Sequence, residues 1–369
     1  MFKKGFITLL GIVLWGVVPA QAIIKTNIQT DFNAIHDDGN NSVSVGEYKL
    51  FYRAQTTDDM ILLTEMVYRQ NPTSLLNQDV VDERFDIERL FIIYNLSPNF
   101  QFTIGRFHTN ISHWNTAYER GVYFEPSILR PLVSESNYIP IDYAGVDLRI
   151  DGDVLGLKNS VLNVGVGSSH RIYSMQVLNA FYNQNFSALR ESGETSDLNP
   201  NILNGSRVVP NPNQVSPHIK FTQNDFMMTG LSVGTGAYQN YINTNFSQYI
   251  FTGHVAYMPY YSDYELIAEA MFINNDVPNT VSVNDFKGGH ITLAKKFYWP
   301  FLNESQKLYG RVDAVSSHLN ILNKRYQYTA GINVDINEVA NAKFEVRVLD
   351  IVNTTGDKVV IAFQNSIYY

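Results

Sequence analysis

Three residues in the first half of the chain have side chains that could do chemistry: His108, Ser112 and His113. A serine nucleophile needs a base and an acid at suitable spacing, but Ser112 lacks the glycines of a nucleophile elbow, and no spacing in the sequence pairs it with an acid. The histidines form no H-E-x-x-H pattern or other metal-binding spacing. We therefore predict no catalytic residue, no metal site and no cofactor, and we interpret Ser112 and His113 as polar loop groups.

Charged residues in the segment Asn110–Pro140 form the second candidate set. This segment is the longest connection in the first half of the chain, and it carries both signs of charge. Charges that face one another across a narrow column of water select ions by electric field and by size. The candidate residues are His113, Glu119, Arg120, Glu125, Arg130 and Glu135, and the family resemblance described below implies that they line such a constriction.

The elements that position these charges are strands, because apolar and polar residues alternate almost everywhere after residue 22. Between Gln327 and Asn337, one face is apolar throughout and the other carries only polar residues and a glycine. This length suits the roughly 9–11 residues with which a tilted strand crosses hydrocarbon. On other strands, the polar face carries charges that we predict to face a lumen: Arg53, Arg69, Arg89, Asp147, Arg149, Glu265, Glu269, Arg311, Asp313, Glu345 and Arg347.

Alternation alone would also suit a soluble β-sandwich, in which one face of each sheet meets a core. Two features favour a transmembrane barrel instead. Tight connections, such as residues 97–99 and 337–338, alternate with longer polar ones, and aromatic residues gather at strand ends, as at 257–264 and 297–299. We predict one all-β domain, a single transmembrane antiparallel β-barrel of about 16 strands (about 14–18), with long outer loops and short periplasmic turns.

The first 22 residues have the pattern of an export signal. Lys3 and Lys4 precede an apolar run over residues 6–18, and small residues occupy positions 20 and 22. The run is shorter than the roughly 20 residues of a spanning helix, although a retained anchor helix is the alternative. We predict cleavage after Ala22, which leaves a barrel domain of residues 23–369. Loss of the two lysines changes the formal net charge from −8 to −10, and no basic block indicates a nucleic-acid partner.

The last predicted strand, Lys358–Tyr369, has apolar residues two positions apart and ends on an aromatic residue. This pattern resembles the C-terminal signal by which outer-membrane barrels are recognised for assembly, and the resemblance assigns that role to Phe363, Ile367 and Tyr369. Tyr369 stands where Phe is commoner, and Asn365 interrupts the apolar face. An ordinary edge strand is the alternative interpretation.

Ordered motifs between residues 104 and 149 resemble a known family. They are Ile104-Gly105-Arg106-Phe107-His108-Thr109, Trp114-Asn115-Thr116-Ala117-Tyr118, Arg130-Pro131 and Gly145-Val146-Asp147-Leu148-Arg149. This stretch, about an eighth of the chain, is similar to the Gram-negative outer-membrane porin superfamily that includes phosphate-selective porins. The resemblance implies a homotrimer and a third loop, residues 110–140, that folds into the lumen. The charges of the predicted lumen are mixed and the chain is acidic, so we do not expect phosphate specificity.

These features together predict an outer-membrane porin that lets small hydrophilic solutes or ions diffuse passively through a water-filled barrel. A non-conducting barrel that acts as a surface adhesin or structural anchor is the alternative, and an outer-membrane hydrolase is a distant third. The expected partners are outer-membrane lipid and lipopolysaccharide, the barrel assembly machinery and further copies of the chain. The segment 171–216, rich in Asn, Ser and Pro, is predicted to be an outer loop over the mouth, with disorder as the alternative.

Overall fold

The structure, a computed structural model, describes the barrel strands and parts of their connections. The described residues are 23–37, 40–72, 81–117, 127–128, 131–135, 142–154, 156–169, 209–210, 216–224, 228–239, 245–257, 262–276, 285–299, 305–317, 324–337, 339–351 and 358–368. The predicted export signal lies outside them, as does most of the segment 171–216. Glu119, Arg120, Glu125, Arg130 and Tyr369 also lie outside the described residues.

Strands make up nearly all of the described chain. In chain order they are β1 (Ile23–Asp37), β2 (Asn40–Gln55), β3 (Met60–Pro72), β4 (Val81–Ser97), β5 (Phe100–His108), β6 (Asp142–Val154), β7 (Leu157–Ser169), β8 (Val209–Pro210), β9 (Ser216–Asn224), β10 (Met228–Gln239), β11 (Asn245–Tyr257), β12 (Tyr264–Asp276), β13 (Asp285–Tyr298), β14 (Ser305–Ser317), β15 (Arg325–Asn337), β16 (Ala340–Ile351) and β17 (Lys358–Tyr368). Two short helices, His113–Ala117 and Leu132–Glu135, lie between β5 and β6. Among the described residues, no helix combines the length and the apolar character needed to cross a membrane.

The long strands pair antiparallel in chain order, and the first also pairs with the last. β1 pairs with β2 along one edge, and along its other edge it pairs with β17 from Gln29 opposite Tyr368 to Asp37 opposite Val360. β7 pairs directly with β9, and the two-residue strand β8 pairs with the end of β10. Within the described residues, sixteen strands therefore form a closed ring, which confirms the predicted antiparallel barrel and its strand number.

The barrel has the reverse polarity of a soluble protein, because polar side chains point inward and apolar ones point outward. On β15, Gln327 and Thr329 are buried, whereas Tyr328 between them is 50% exposed. On β17, Ile361 and Phe363 are exposed in the same way. Such an extended apolar exterior is unfavourable in water and favourable in hydrocarbon. The outer surface is therefore suited to lipid.

The two ends of the barrel differ in their connections. At one end the strands join through tight turns, as at residues 56–59 and 98–99. At the other end, residues 109–141 join β5 to β6, and residues 170–215 join β7 to β9. Unequal ends of this kind are typical of outer-membrane barrels. The connection 109–141 is the third in chain order at its end, and it is called loop 3 below.

Candidate functional site

Loop 3 lies inside the barrel, where its first helix is fixed to one carboxylate of the wall. Glu269 of β12 accepts hydrogen bonds from the Ser112 hydroxyl (3.1 Å), the His113 amide (2.8 Å) and the Trp114 amide (3.3 Å). Ser112 has φ 77°, and its Oγ accepts a bond from the Asn115 amide at 3.5 Å, as an N-cap does. The carboxylate satisfies amides that have no partner within the helix.

The later part of loop 3 is fixed to two further strands of the wall. The Ile128 amide donates to Glu345 of β16 at 3.0 Å, and the Leu132 amide donates to Asp313 of β14 at 2.9 Å. Both bonds link residues that are more than 150 positions apart in sequence. Wall carboxylates of β12, β14 and β16 therefore hold the described backbone of loop 3 at three places.

Buried arginines accompany two of these carboxylates. Arg311 donates to Asp313 at 2.8 Å and to the Ser127 hydroxyl of loop 3 at 2.7 Å, and Arg347 is paired with Glu345. A buried ion pair is costly to desolvate, and additional hydrogen bonds are needed to offset that cost. Loop 3 provides such bonds through its amides and through Ser127. The charge network of the wall and the placement of the loop therefore depend on each other.

Apolar and aromatic contacts complete the docking of loop 3. One buried cluster combines residues of the loop with residues of the wall: Phe107, Ile111, Val133, Tyr143, Ile250, Met271, Ile273, Phe286 and Val315. The His113 ring stacks on His254 of β11 with 4.3 Å between ring centroids, and the Trp114 ring meets His290 of β13 edge-on at 5.9 Å. Through these contacts and the hydrogen bonds, the described part of loop 3 packs mainly on inner-wall residues of β11–β14 and β16, and at its base on β5 and β6.

The described part of loop 3 leaves the side of the barrel formed by β1–β7 uncovered, and this open wall borders a cavity of about 790 Å³. The charged residues that line the cavity are Lys25, Arg53, Arg89, Arg149, Glu65 and Asp147. Asn110 and Asn115 of loop 3 complete the lining, and the Asn110 amide group donates to Asp147 at 2.7 Å. Four basic side chains against two acidic ones give the cavity a positive balance, although the chain as a whole is acidic.

The basic residues of the cavity differ in how far an acidic neighbour offsets their charge. Arg89 is paired with Glu65, which is buried. Arg149 makes a two-pronged pair with Asp151 at 2.8–3.0 Å, yet 45% of its side chain is exposed. Arg53 is also exposed. Arg53 and Arg149 therefore present guanidinium charge to the water of the cavity, where salt screens it only partly.

The predicted lumen residues fall into two groups. Those that line the open cavity are Arg53, Arg89, Asp147 and Arg149. Those that are buried on the other side of the barrel are Glu265, Glu269, Arg311, Asp313, Glu345 and Arg347. Arg69 stands opposite Glu47 and Arg84 in the strand register, and its side chain lies outside the described residues. Strand alternation places both groups on the inner face but does not show which of them loop 3 will cover.

The predicted constriction residues are only partly described. His113 is 2% exposed and stacks on His254, so its ring does not line the cavity. Glu135 ends the second helix of loop 3, and its side chain lies outside the described part of the chain. Glu119, Arg120, Glu125 and Arg130 also lie outside the described part of the chain. The place of these four residues and of Glu135 in a constriction therefore stays a prediction.

Sequence reasoning did not single out several residues of the open wall. Lys25, Phe51 and Leu63 line the cavity, but Lys25 follows the predicted cleavage site closely, and the other two are apolar residues on an inward face. An interpretation of the sequence that assigns every apolar residue to the lipid-facing side of the barrel misses inward residues such as Phe51 and Leu63. The irregular alternation around Phe91 and Ile93, where both share a face with Arg89, was the available signal.

A group of three possible metal ligands was also not apparent from spacing. Single ligand atoms of Glu65, Glu88 and His108 lie within 4.8 Å of one another. A register shift between Glu65 and Met66 leaves Glu88 as the extra residue on β4, and a bulge of this kind redirects a side chain. We assign no metal to this group, because Arg89 is already paired with Glu65.

The predicted assembly signal lies on an outward row of β17. Phe363 is 43% exposed, and Ile367 stands opposite Ala340 of β16 and Thr30 of β1. Tyr369 lies outside the described residues. The role of this row in assembly stays a prediction.

Comparison with solved structures identifies the architecture. The chain is similar to OmpF of Salmonella typhi in complex with daunomycin (10% identity, 94% of this chain and 97% of that chain, TM-score 0.62). It is also similar to the anion-selective porin of Comamonas acidovorans (9%, 95% and 100%, 0.59) and to the trimer form of in-vitro folded OmpT, an outer membrane protein of Vibrio cholerae (10%, 94% and 99%, 0.58). In sequence, it matches no protein-family model and no curated protein. The chain therefore has the β-barrel fold of the outer-membrane porins.

Proposed function

We propose that the protein is a porin of the Gram-negative outer membrane, through which small hydrophilic solutes and ions diffuse passively. The observation that carries the proposal is the cavity between loop 3 and the wall β1–β7, inside a closed barrel with an apolar exterior. A barrel of sixteen strands is wide enough to leave an aqueous channel that side chains do not fill. Solutes then move down their gradients, and no chemical step is required.

In this proposal, the constriction lies between loop 3 and the basic residues of the open wall. Asn110 and Asn115 contribute from the loop, and Arg53, Arg89 and Arg149 contribute from β2, β4 and β6. Charged rims with low-dielectric walls concentrate ions of the opposite sign. The positive balance of the cavity should therefore favour anions over cations of similar size.

The first test is planar-bilayer conductance of the refolded protein. We expect stable ohmic current steps with a measurable ion selectivity. A bilayer that stays closed, despite confirmed insertion of folded protein, would contradict the porin and favour the adhesin or anchor.

A double variant tests which residues set the selectivity. We expect Arg53→Gln with Arg149→Gln to shift the reversal potential in a salt gradient towards cations, because two exposed positive charges are removed from the cavity. The matched control is Lys158→Gln, since Lys158 is exposed near the tight turn before β7 and does not line the cavity. An unchanged reversal potential in the double variant would show that the constriction lies elsewhere. The double variant Arg120→Ala with Arg130→Ala tests, in the same assay, whether loop 3 also contributes to the ion selectivity.

A hydrolase is not favoured by the surroundings of Ser112. Its side chain is 1% exposed, and its hydroxyl donates to Glu269, which also holds the His113 and Trp114 amides. A nucleophile must reach its substrate, and the carboxylate that could accept the Ser112 proton already accepts hydrogen bonds from two backbone amides. The contacts of Ser112 support a structural role.

Localisation and partners complete the proposal. Removal of residues 1–22 would release the chain for insertion from the periplasm, with help from the barrel assembly machinery that reads β17. Lipid and lipopolysaccharide would then cover the apolar exterior. We also propose a homotrimer, which the trimer form of the similar OmpT supports. Crosslinking in mild detergent should give a species of three subunits, and a species of one subunit only would contradict this.

A further inference from the structure

The open wall departs from the polarity of the rest of the barrel, because apolar side chains share it with arginines. Phe51, Leu63, Phe91, Ile93 and Phe107 all line the cavity. Leu63 and Phe91 stand opposite each other on β3 and β4, and Ile93 follows on the same face of β4. Phe91 meets Phe107 edge-on, with 6.3 Å between ring centroids. The water of the cavity thus borders an apolar surface.

Packing of loop 3 explains only part of this surface. Phe107 belongs to the buried cluster that docks the loop, and Phe91 packs against it. Phe51, Leu63 and Ile93 do not belong to that cluster, and each remains partly accessible. Apolar side chains that face water inside a barrel are unfavourable for the fold alone. These three residues therefore call for a role towards a solute.

Positive charges border the apolar surface at fixed positions. Lys25, Arg53, Leu63 and Phe91 form one register row across β1, β2, β3 and β4, and all four line the cavity. Neighbouring strands are about 5 Å apart, so a guanidinium group and an apolar patch lie side by side. The Arg89 guanidinium also lies 5.9 Å from the centroid of the Phe51 ring, a cation–π distance.

This juxtaposition suits one chemical class of solute. An inorganic anion gains from the charges but nothing from the apolar wall, and a neutral sugar gains little from either. An aromatic ring with a carboxylate uses both, because the ring is removed from water against Leu63 and Phe91 and the carboxylate meets Arg53. Pockets that combine apolar lining with a few placed charges are typical binding sites.

We propose that the cavity binds small aromatic carboxylates as they pass, with the ring on the Leu63–Phe91 surface and the carboxylate at Arg53. This inference rests on the proposed pore and names a solute class for it. The site slows aromatic carboxylates in transit and so reduces the current carried by chloride while it is occupied.

The experiment measures block of the potassium chloride current in planar bilayers by four probes at matched ionic strength. Benzoate carries ring and charge, acetate only the charge, benzyl alcohol only the ring, and benzylammonium the ring with the opposite charge. We expect saturable block by benzoate, with a half-blocking concentration at least about tenfold below that of acetate. Benzyl alcohol and benzylammonium should not block at those concentrations.

Two variants separate the halves of the site. Leu63→Asn should raise the half-blocking concentration of benzoate severalfold and leave that of acetate unchanged, whereas Arg53→Gln should raise both. The matched controls are Leu157→Asn and Lys158→Gln, which lie at the start of β7, are exposed and do not line the cavity. Slow migration of unheated samples on a denaturing gel verifies folding, and Leu63→Ala with the control Leu157→Ala replaces the asparagine pair if Leu63→Asn does not fold.

The possible failures are distinguishable. Absence of current from the unaltered protein would overturn the porin proposal itself. Current that benzoate and acetate block equally, or that benzyl alcohol blocks as well as benzoate, would leave the pore standing and overturn the aromatic carboxylate site. Equal effects of Leu63→Asn and Leu157→Asn would also overturn it.

Discussion

Gly105 illustrates how single residues allow the strands next to loop 3 to approach closely. It has φ 130° on β5, a conformation that glycine adopts readily and other residues rarely do. A Cβ atom here would collide with the Leu90 carbonyl oxygen and lie 2.7 Å from the Phe91 Cα. The glycine therefore lets β4 and β5 pair where Phe91 must reach Phe107.

We expect Gly105→Ala to lower the free energy of unfolding by at least about 2 kcal/mol, because it adds backbone strain and a backbone collision. Urea unfolding in detergent micelles would measure the change. The matched control is Gly310→Ala on β14, where a Cβ would meet nothing closer than the Thr329 oxygen at 3.9 Å. Equal stability of the two variants would show that the close approach at Gly105 is relaxed at no cost.

At the scale of elements, loop 3 is placed by the wall rather than by its own sequence. The two helices in its described part have five and four residues, and helices this short are not stable alone in water. Their positions are set by hydrogen bonds to wall carboxylates and by the shared buried cluster. Removal of one anchor should therefore loosen the loop while the barrel remains closed.

We expect Glu269→Ala to destabilise the docked loop by about 3 kcal/mol, since it leaves buried donors of Ser112, His113 and Trp114 without their acceptor. Greater noise in the open-channel current and faster proteolysis within residues 109–141 would report the loosening. Asp153→Ala, which removes an exposed carboxylate from β6, is the matched control and should change neither. A quiet, protease-resistant Glu269→Ala channel would contradict the anchoring role.

The strands could be predicted from sequence far better than the site. Alternation predicted the strand over Gln327–Asn337, and the structure has β15 from Arg325 to Asn337, because each position on a strand has only two faces to choose from. The contacts of loop 3 join residues such as Ile128 and Glu345, 217 positions apart. No local pattern encodes such a pair. In the sequence, the apolar residues of the open wall were visible only as irregular alternation around Phe91. A strand interpreted by alternation alone is assumed to direct every apolar residue towards lipid.

At the scale of the whole molecule, the exposed apolar exterior decides where the protein can reside. We expect the protein to stay with the outer-membrane fraction after osmotic shock and to need detergent for extraction, because its outward residues are exposed around the described barrel. Immunoblotting of the shock fluid and of the membranes would measure the distribution. Release into the shock fluid without detergent would contradict a membrane barrel.

The pairing of β1 with β17 also has a consequence for the order of folding. Gln29 and Tyr368 are partners across this pairing, whereas most other long strands pair with their neighbours in the chain. Closing a longer loop costs more entropy, so hairpins should form early and this pairing last. Until then, β1 and β17 are both edge strands with unpaired backbone groups, which are templates for addition of another chain. The lifetime of that open sheet should therefore set how much of the protein aggregates during refolding.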